Sequence, residues 1–178
     1  MQRLPNARGL PSRTATAKGV ITLSDHLIAP HGGTLVDLIA GSARAEEITA
    51  ESRDWVSHDV TPRQLCDLEL LLNGGFSPLA GFMTSSDHDA VCADMRLADG
   101  TLWPMPITLD VSEKFAETIE EGQDIALRDQ EGVILATMTV TDRWEPNKAR
   151  EAEMVFGADD IAHPAVNYLH NTAGKVYL

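Results

Sequence analysis

The sequence predicts an α+β fold: a mixed β-barrel with short helices inserted between its strands and flanking them. Three observations carry this expectation. The strand-prone runs are short, and two of them flank a hairpin-type turn, Asp129-Gln130-Glu131-Gly132. The helical runs are equally short and bring their own start and stop residues. Strands and helices do not alternate as a doubly wound sheet would require.

The elements follow in order. Residues 34–40 and 43–54 read as short helices before a strand at 55–60. Thr61-Pro62-Arg63-Gln64 is a helix start: Thr61 can cap, Pro62 suits the first turn, and Gln64 holds the capping-box position. That helix should stop at Asn73-Gly74-Gly75, where glycine accepts a left-handed backbone. Leu68 and Leu72 recur at helical spacing with Leu65 and are predicted core residues. The loop 76–83 is too apolar for a surface loop, so Phe76 and Phe82 are expected to pack into the domain's own core. Ser86 is read as the cap of a helix reaching Met95, and Asp99-Gly100 as a turn. Strands are expected at 106–111, 123–128 and 133–140. Helix returns at 147–156 and ends at Gly157, Pro164 opens a last short helix, and a strand begins at 176–178.

The chain has 178 residues and 43% apolar side chains, enough for one domain with a real core plus an attached segment. Its net charge is −13, unevenly spread. Residues 1–24 hold Arg3, Arg8, Arg13 and Lys18 and no acid. They share this basic, Ser/Thr-bearing composition with organelle transit peptides. Pro5, Gly9 and Pro11 break any amphipathic helix there, so the segment reads as a flexible basic extension, and 25–178 as the domain. An acidic domain repels phosphate backbones, ATP and sulfate unless one face is locally positive. No apolar run is long enough to span a membrane. Two widely spaced cysteines, Cys66 and Cys92, fit reduced thiols in a cytoplasmic protein, with Cys66 expected to be buried.

No catalytic, cofactor-binding or metal-ligating residue is assigned. The glycines of Asn73-Gly74-Gly75 follow a helix, where free carbonyls gather, so they read as a helix stop and not a phosphate cradle. His31-Gly32-Gly33-Thr34 reads as a tight turn. None of His26, His31, His58, His88, His163 and His170 pairs with another His or Cys at zinc spacing. His88 lies between Asp87 and Asp89, but neighbours in a helix point in different directions, and His163 after Asp159-Asp160 reads as a solvated helix end. Glu120-Glu121 before Gly122 reads as an exposed turn. Trp55, Trp103 and Trp144 are not interleaved with basic residues, so they read as core or contact residues and not as a nucleic-acid platform.

Four stretches in order resemble one known family. They are Pro30-His31-Gly32-Gly33 with Leu35, residues 65–83, residues 99–111, and a closing segment of Glu151-Ala152-Glu153, Phe156-Gly157, Asp160 and His163-Pro164-Ala165-Val166. Together they resemble the N-terminal PUA-like domain of ATP sulfurylase (sulfate adenylyltransferase). Ala158 departs from the threonine usual after that glycine. The family joins sulfate to ATP, releasing pyrophosphate with Mg²⁺ and forming adenylyl sulfate. The resemblance places that work in a following catalytic domain, through Gln-x-Arg-Asn, His-x-x-His and Gly-Arg-Asp segments that this sequence lacks. It therefore implies a non-catalytic domain, with ATP and Mg²⁺ belonging to the catalytic domain of the parent enzyme. It further implies packing on that domain, in the same polypeptide or a neighbouring subunit of a homo-oligomer. The alternative is a stand-alone PUA-like module that binds RNA or another partner. The acidic charge argues against RNA.

Overall fold

A computed structural model describes residues 27–178. The predicted boundary at residue 24 and the basic extension lie outside the described residues.

Helix α1 (Ser42–Glu51) runs into a 3₁₀ turn, Ser52–Asp54, and then the short strand β1 (Ser57–Asp59). The expected helix at 34–40 does not form. That stretch is an extended strap, tied by Val36 N–H to Ser77 Oγ (2.9 Å) and by Leu38 N–H to Leu72 O (2.9 Å). These two bonds fix the strap in an extended path, and most of its residues face solvent.

Helix α2 (Pro62–Leu72) starts as the sequence dictates. Thr61 Oγ1 accepts from Gln64 N–H, and Gln64 Oε1 accepts from Thr61 N–H, a complete capping box. It ends at Asn73, and Gly74 follows at φ +80°. A Cβ on Gly74 would sit 2.7 Å from Leu35 Cδ1 and 2.8 Å from Val36 O, so this glycine both turns the chain and admits the strap. Helix α3 (Ser85–Asp94) has Thr84 at its N-cap position, two residues before the expected Ser86, and ends at Met95 in the left-handed region.

Strand β2 is only Asp110–Val111, shorter than the expected 106–111. Helix α4 (Glu113–Ala116) is a single turn capped by Ser112. Strands β3 (Asp124–Arg128) and β4 (Ile134–Thr139) form the predicted hairpin, with Asp129 Oδ1 accepting from Val133 and Glu131 N–H across the turn. Helices α5 (Lys148–Phe156) and α6 (Pro164–Asn171) lie where predicted, α5 capped by Asn147 and closed by Gly157 at φ +72°. Strand β5 (Val176–Tyr177) completes the chain.

The strands make two small sheets. One has the order β1-β3-β4, parallel between β1 and β3 and antiparallel between β3 and β4. The other pairs β2 with β5, antiparallel. This is the mixed α+β arrangement the sequence predicts, in two separate sheets.

Two main apolar clusters fill the interior. The first joins Leu68 to Leu109, Val111, Ile125, Leu127 and Val140. The second joins Leu71, Leu79, Met83, Val91, Trp103 and Ile107, with Phe76 and Phe82 packed against it. Leu65 and Leu72 are only partly buried, while Leu71, which the helical spacing passed over, is fully enclosed. Both loop rings pack inward as expected; Phe76 meets Trp103 edge to face at 5.7 Å.

Candidate functional site

Two buried polar junctions tie the elements together. The first centres on Gln64. Its Nε2–H donates to Asp110 O (2.7 Å) and Oδ1 (3.0 Å), and its Oε1 lies 3.2 Å from His58 Nε2. Asp110 Oδ2 accepts from Gly174 N–H at 2.6 Å, and Arg63 sits 3.6 Å from Oδ1. A charge assisted by this many donors is well compensated despite its burial. Gln64 thus serves the helix cap and the core at once, joining α2 to β2 and to the entry of β5.

The second junction joins α3, α5 and β5. His88 Nε2 lies 3.2 Å from Glu151 Oε2 and 3.7 Å from Cys92 Sγ. Tyr177 O–H donates to the same Glu151 oxygen at 3.1 Å. Burial alone opposes a charge on His88, but its bonds to Cys92 and Glu151 outweigh that and push the imidazole up to about 10. Burial and the Glu151 carboxylate both drive the Tyr177 phenol far above its ordinary range, so it stays a donor. His88 Nδ1 is buried without a hydrogen-bond partner among the described residues. Trp144 and Tyr177 pack around the imidazole at 5.9 and 5.8 Å.

Neither junction was predicted. His88 was given no role beyond its helix position, and it is buried because α5 and β5 close over it. Cys66 was expected to be buried and is exposed, while Cys92 is enclosed. The reason is phase: α2 turns Leu68 and Leu71 inward, which leaves Cys66 and Leu70 outward. The other readings fall as expected. Gly33 N–H closes a turn onto Pro30 O, and His163 is an exposed residue stacked on Phe156. Gly122 turns at φ +84° after an exposed Glu120-Glu121. Trp103 is buried and Trp55 and Trp144 are half-buried. His26 lies outside the described residues. Among the described residues no group of three His, Cys, Asp or Glu side chains is placed to hold a metal ion.

The surface carries one conspicuous apolar tract. Leu27, Ile28, Leu35, Leu38 and Ile39 all stand in solvent along the strap, Ile28 at 92% exposure. Beside it run two adjoining grooves of about 460 and 520 Å³, which share Leu38, Leu72, Ala80, Ala136 and Thr137. The second groove has no charged side chain in its lining. An apolar tract of this extent on an otherwise acidic protein is the mark of a contact surface. No helix among the described residues is long and apolar enough to cross a membrane.

A family model described as "PUA-like domain" matches residues 28–178. The sulfate adenylyltransferase of Saccharomyces cerevisiae is 52% identical over 153 residues, covering 84% of this chain and 30% of that protein. That of Phaeosphaeria nodorum is 53% identical over 156 residues, covering 84% of this chain and 27% of its own. Among solved structures, a hexameric APS kinase from Thiobacillus denitrificans superposes with a TM-score of 0.62 at 41% identity, over 68% of this chain and 24% of that one. The chain thus spans about 30% or less of the length of these relatives. With the match covering nearly every described residue, the chain belongs to the PUA-like domain family, in the form that sulfate adenylyltransferases carry.

Proposed function

We propose that residues 25–178 act as a non-catalytic domain of a sulfate adenylyltransferase, packing on the catalytic domain and supporting assembly of the enzyme. Residues 1–24 are a basic extension to it. The observation that carries this reading is the apolar strap with its two adjoining grooves, the second lined by no charged side chain, on a chain matching less than a third of each relative. Such a surface fits a protein partner that buries it. The reaction itself, sulfate with ATP giving adenylyl sulfate and pyrophosphate, belongs in this reading to the partner domain together with ATP and Mg²⁺. No residue of this chain is assigned to catalysis, to cofactor or to metal. The acidic charge supports the same division, because developing phosphate charge needs positive donors. The hexameric relative supports a homo-oligomeric parent enzyme. A cytoplasmic location goes with the reduced thiols.

The test is reconstitution. The chain, mixed with the S. cerevisiae enzyme from which the matching segment has been deleted, is expected to co-elute with it. Leu38→Asp with Ile39→Asp is expected to abolish co-elution while the chain stays folded. No complex at tens of micromolar, with both parts folded, would overturn the reading. A shift of structured RNA by the chain at low salt would favour the stand-alone module instead.

A further inference from the structure

A cavity of about 290 Å³ lies away from the strap, between α2, α5, α6 and the segment before β2. Its walls are apolar: Met105, Pro106, Val155, Phe156, Leu169 and the body of Tyr168. Arg63 also lines it, with its guanidinium carbon 5.4 Å from the Tyr168 ring centroid. Its volume is at the small end of the range for ligand pockets, and apolar walls with a few convergent polar groups are their usual construction.

Two polar side chains at the cavity have unused capacity. Glu151 is 7% exposed, and both of its contacts, from His88 and Tyr177, use Oε2. Its Oε1 has no hydrogen-bond partner among the described residues. Thr108 is 3% exposed, and its hydroxyl likewise has no partner among them. Both residues line the cavity, so a ligand donor placed there can use this open acceptor capacity.

The charges nearby cancel. Arg63, Lys148 and protonated His88 offset Asp67, Asp110 and Glu151. A charged ligand entering here loses its hydration and finds no net opposite charge. The carboxylate already shares its charge with His88. An anion would meet Glu151 directly, and the lining Arg63 is already engaged by Asp67 and Asp110.

We propose that this cavity is a binding site for a small uncharged ligand, an aromatic or apolar body with one N–H or O–H donor directed at Glu151 Oε1 and Thr108. The site is distinct from the strap, and it does not depend on the sulfate adenylyltransferase reading.

Four probes of similar size separate the possibilities: phenol, anisole, benzylammonium and benzoate, titrated into the full chain and followed by amide NMR shifts. Phenol is expected to saturate in the millimolar range, with shifts centred on Thr108, Val155, Leu169 and Tyr177. Anisole, which lacks the donor, is expected to bind about fivefold more weakly. Benzoate and benzylammonium are expected to leave these amides unmoved. Ala165→Phe fills the cavity and Met105→Trp covers its exposed mouth; either is expected to abolish the phenol shifts. The second variant changes an exposed side chain and keeps the test open if the first does not fold. Anisole binding as tightly as phenol, either ion binding more tightly, or phenol shifts that persist in a folded variant would overturn the proposal.

Discussion

His88 and Glu151 form a pair whose strength depends on pH. The folded side chain holds its proton up to about pH 10, whereas the unfolded one releases it near 6.5. The folded state therefore binds more protons between those limits. The pair's contribution is complete below about pH 6.5 and is lost as pH rises toward 10. Urea midpoints at pH 6, 8 and 10 should fall for the wild type and change less for His88→Gln over the same window. A wild-type midpoint equal at pH 6 and pH 10 would show that the imidazole is not charged in the fold. Leu68 offers the simpler case. It is 4% exposed in the larger cluster, so Leu68→Ala should lower stability by about 2–5 kcal/mol, read from chemical denaturation. The thiols give a third readout at this scale. A thiol reagent should modify Cys66 in the native protein and Cys92 only after unfolding, one equivalent before and two after. These residues also show where sequence reading stops. Leu68 was legible because its partners recur every third or fourth residue along one helix. His88 was not, because Glu151 and Tyr177 reach it from distant elements that leave no local pattern.

Among the elements, α2 is the one whose residues specify it most completely. Its cap, its first-turn proline and its glycine stop were all readable, since each acts through backbone groups within four residues. Replacing Thr61 by Ala removes one half of the capping box and should cost about 0.5–2 kcal/mol, measurable by thermal or urea unfolding. Gln64→Ala should cost more, because Asp110 then loses two donor contacts inside the core. The strap was misread as a helix for a related reason. Its side chains are apolar enough for one, but Ser77 and Leu72 offer its backbone partners in an extended path. Tertiary contacts overrode the local preference, and nothing within residues 34–40 announces them. Strand β2 came out shorter than expected because Ile107 N–H turns to the Met83 sulfur at 3.4 Å and not to a neighbouring strand.

For the molecule as a whole, activity is the plainest test. The chain alone, given ATP, sulfate and Mg²⁺, is expected to release no pyrophosphate above background in a coupled assay. Release that depends on both substrates and disappears with a substitution in this chain would place catalytic residues here after all. The candidate site was the least legible part of the sequence. A cavity between α2, α5 and α6 depends on how three helices pack, and the sequence fixes their lengths more clearly than their mutual positions.

Gly174 comes to within contact of Val111, where a Cβ would stand 2.3 Å from the carbonyl oxygen, and it delivers β5 to β2. This closing strand is therefore made after every other described strand and helix. Until residues 174–178 leave the ribosome, Asp110 lacks its Gly174 donor and Glu151 lacks Tyr177. The hairpin of β3 and β4 can form early, but the α3–α5 junction cannot be completed. Nascent chains arrested before Gly174 should thus be cut by protease in α5, while those carrying Leu178 clear of the tunnel should resist. The domain's two ends of time, an early hairpin and a late latch, are set by a single position where only hydrogen fits.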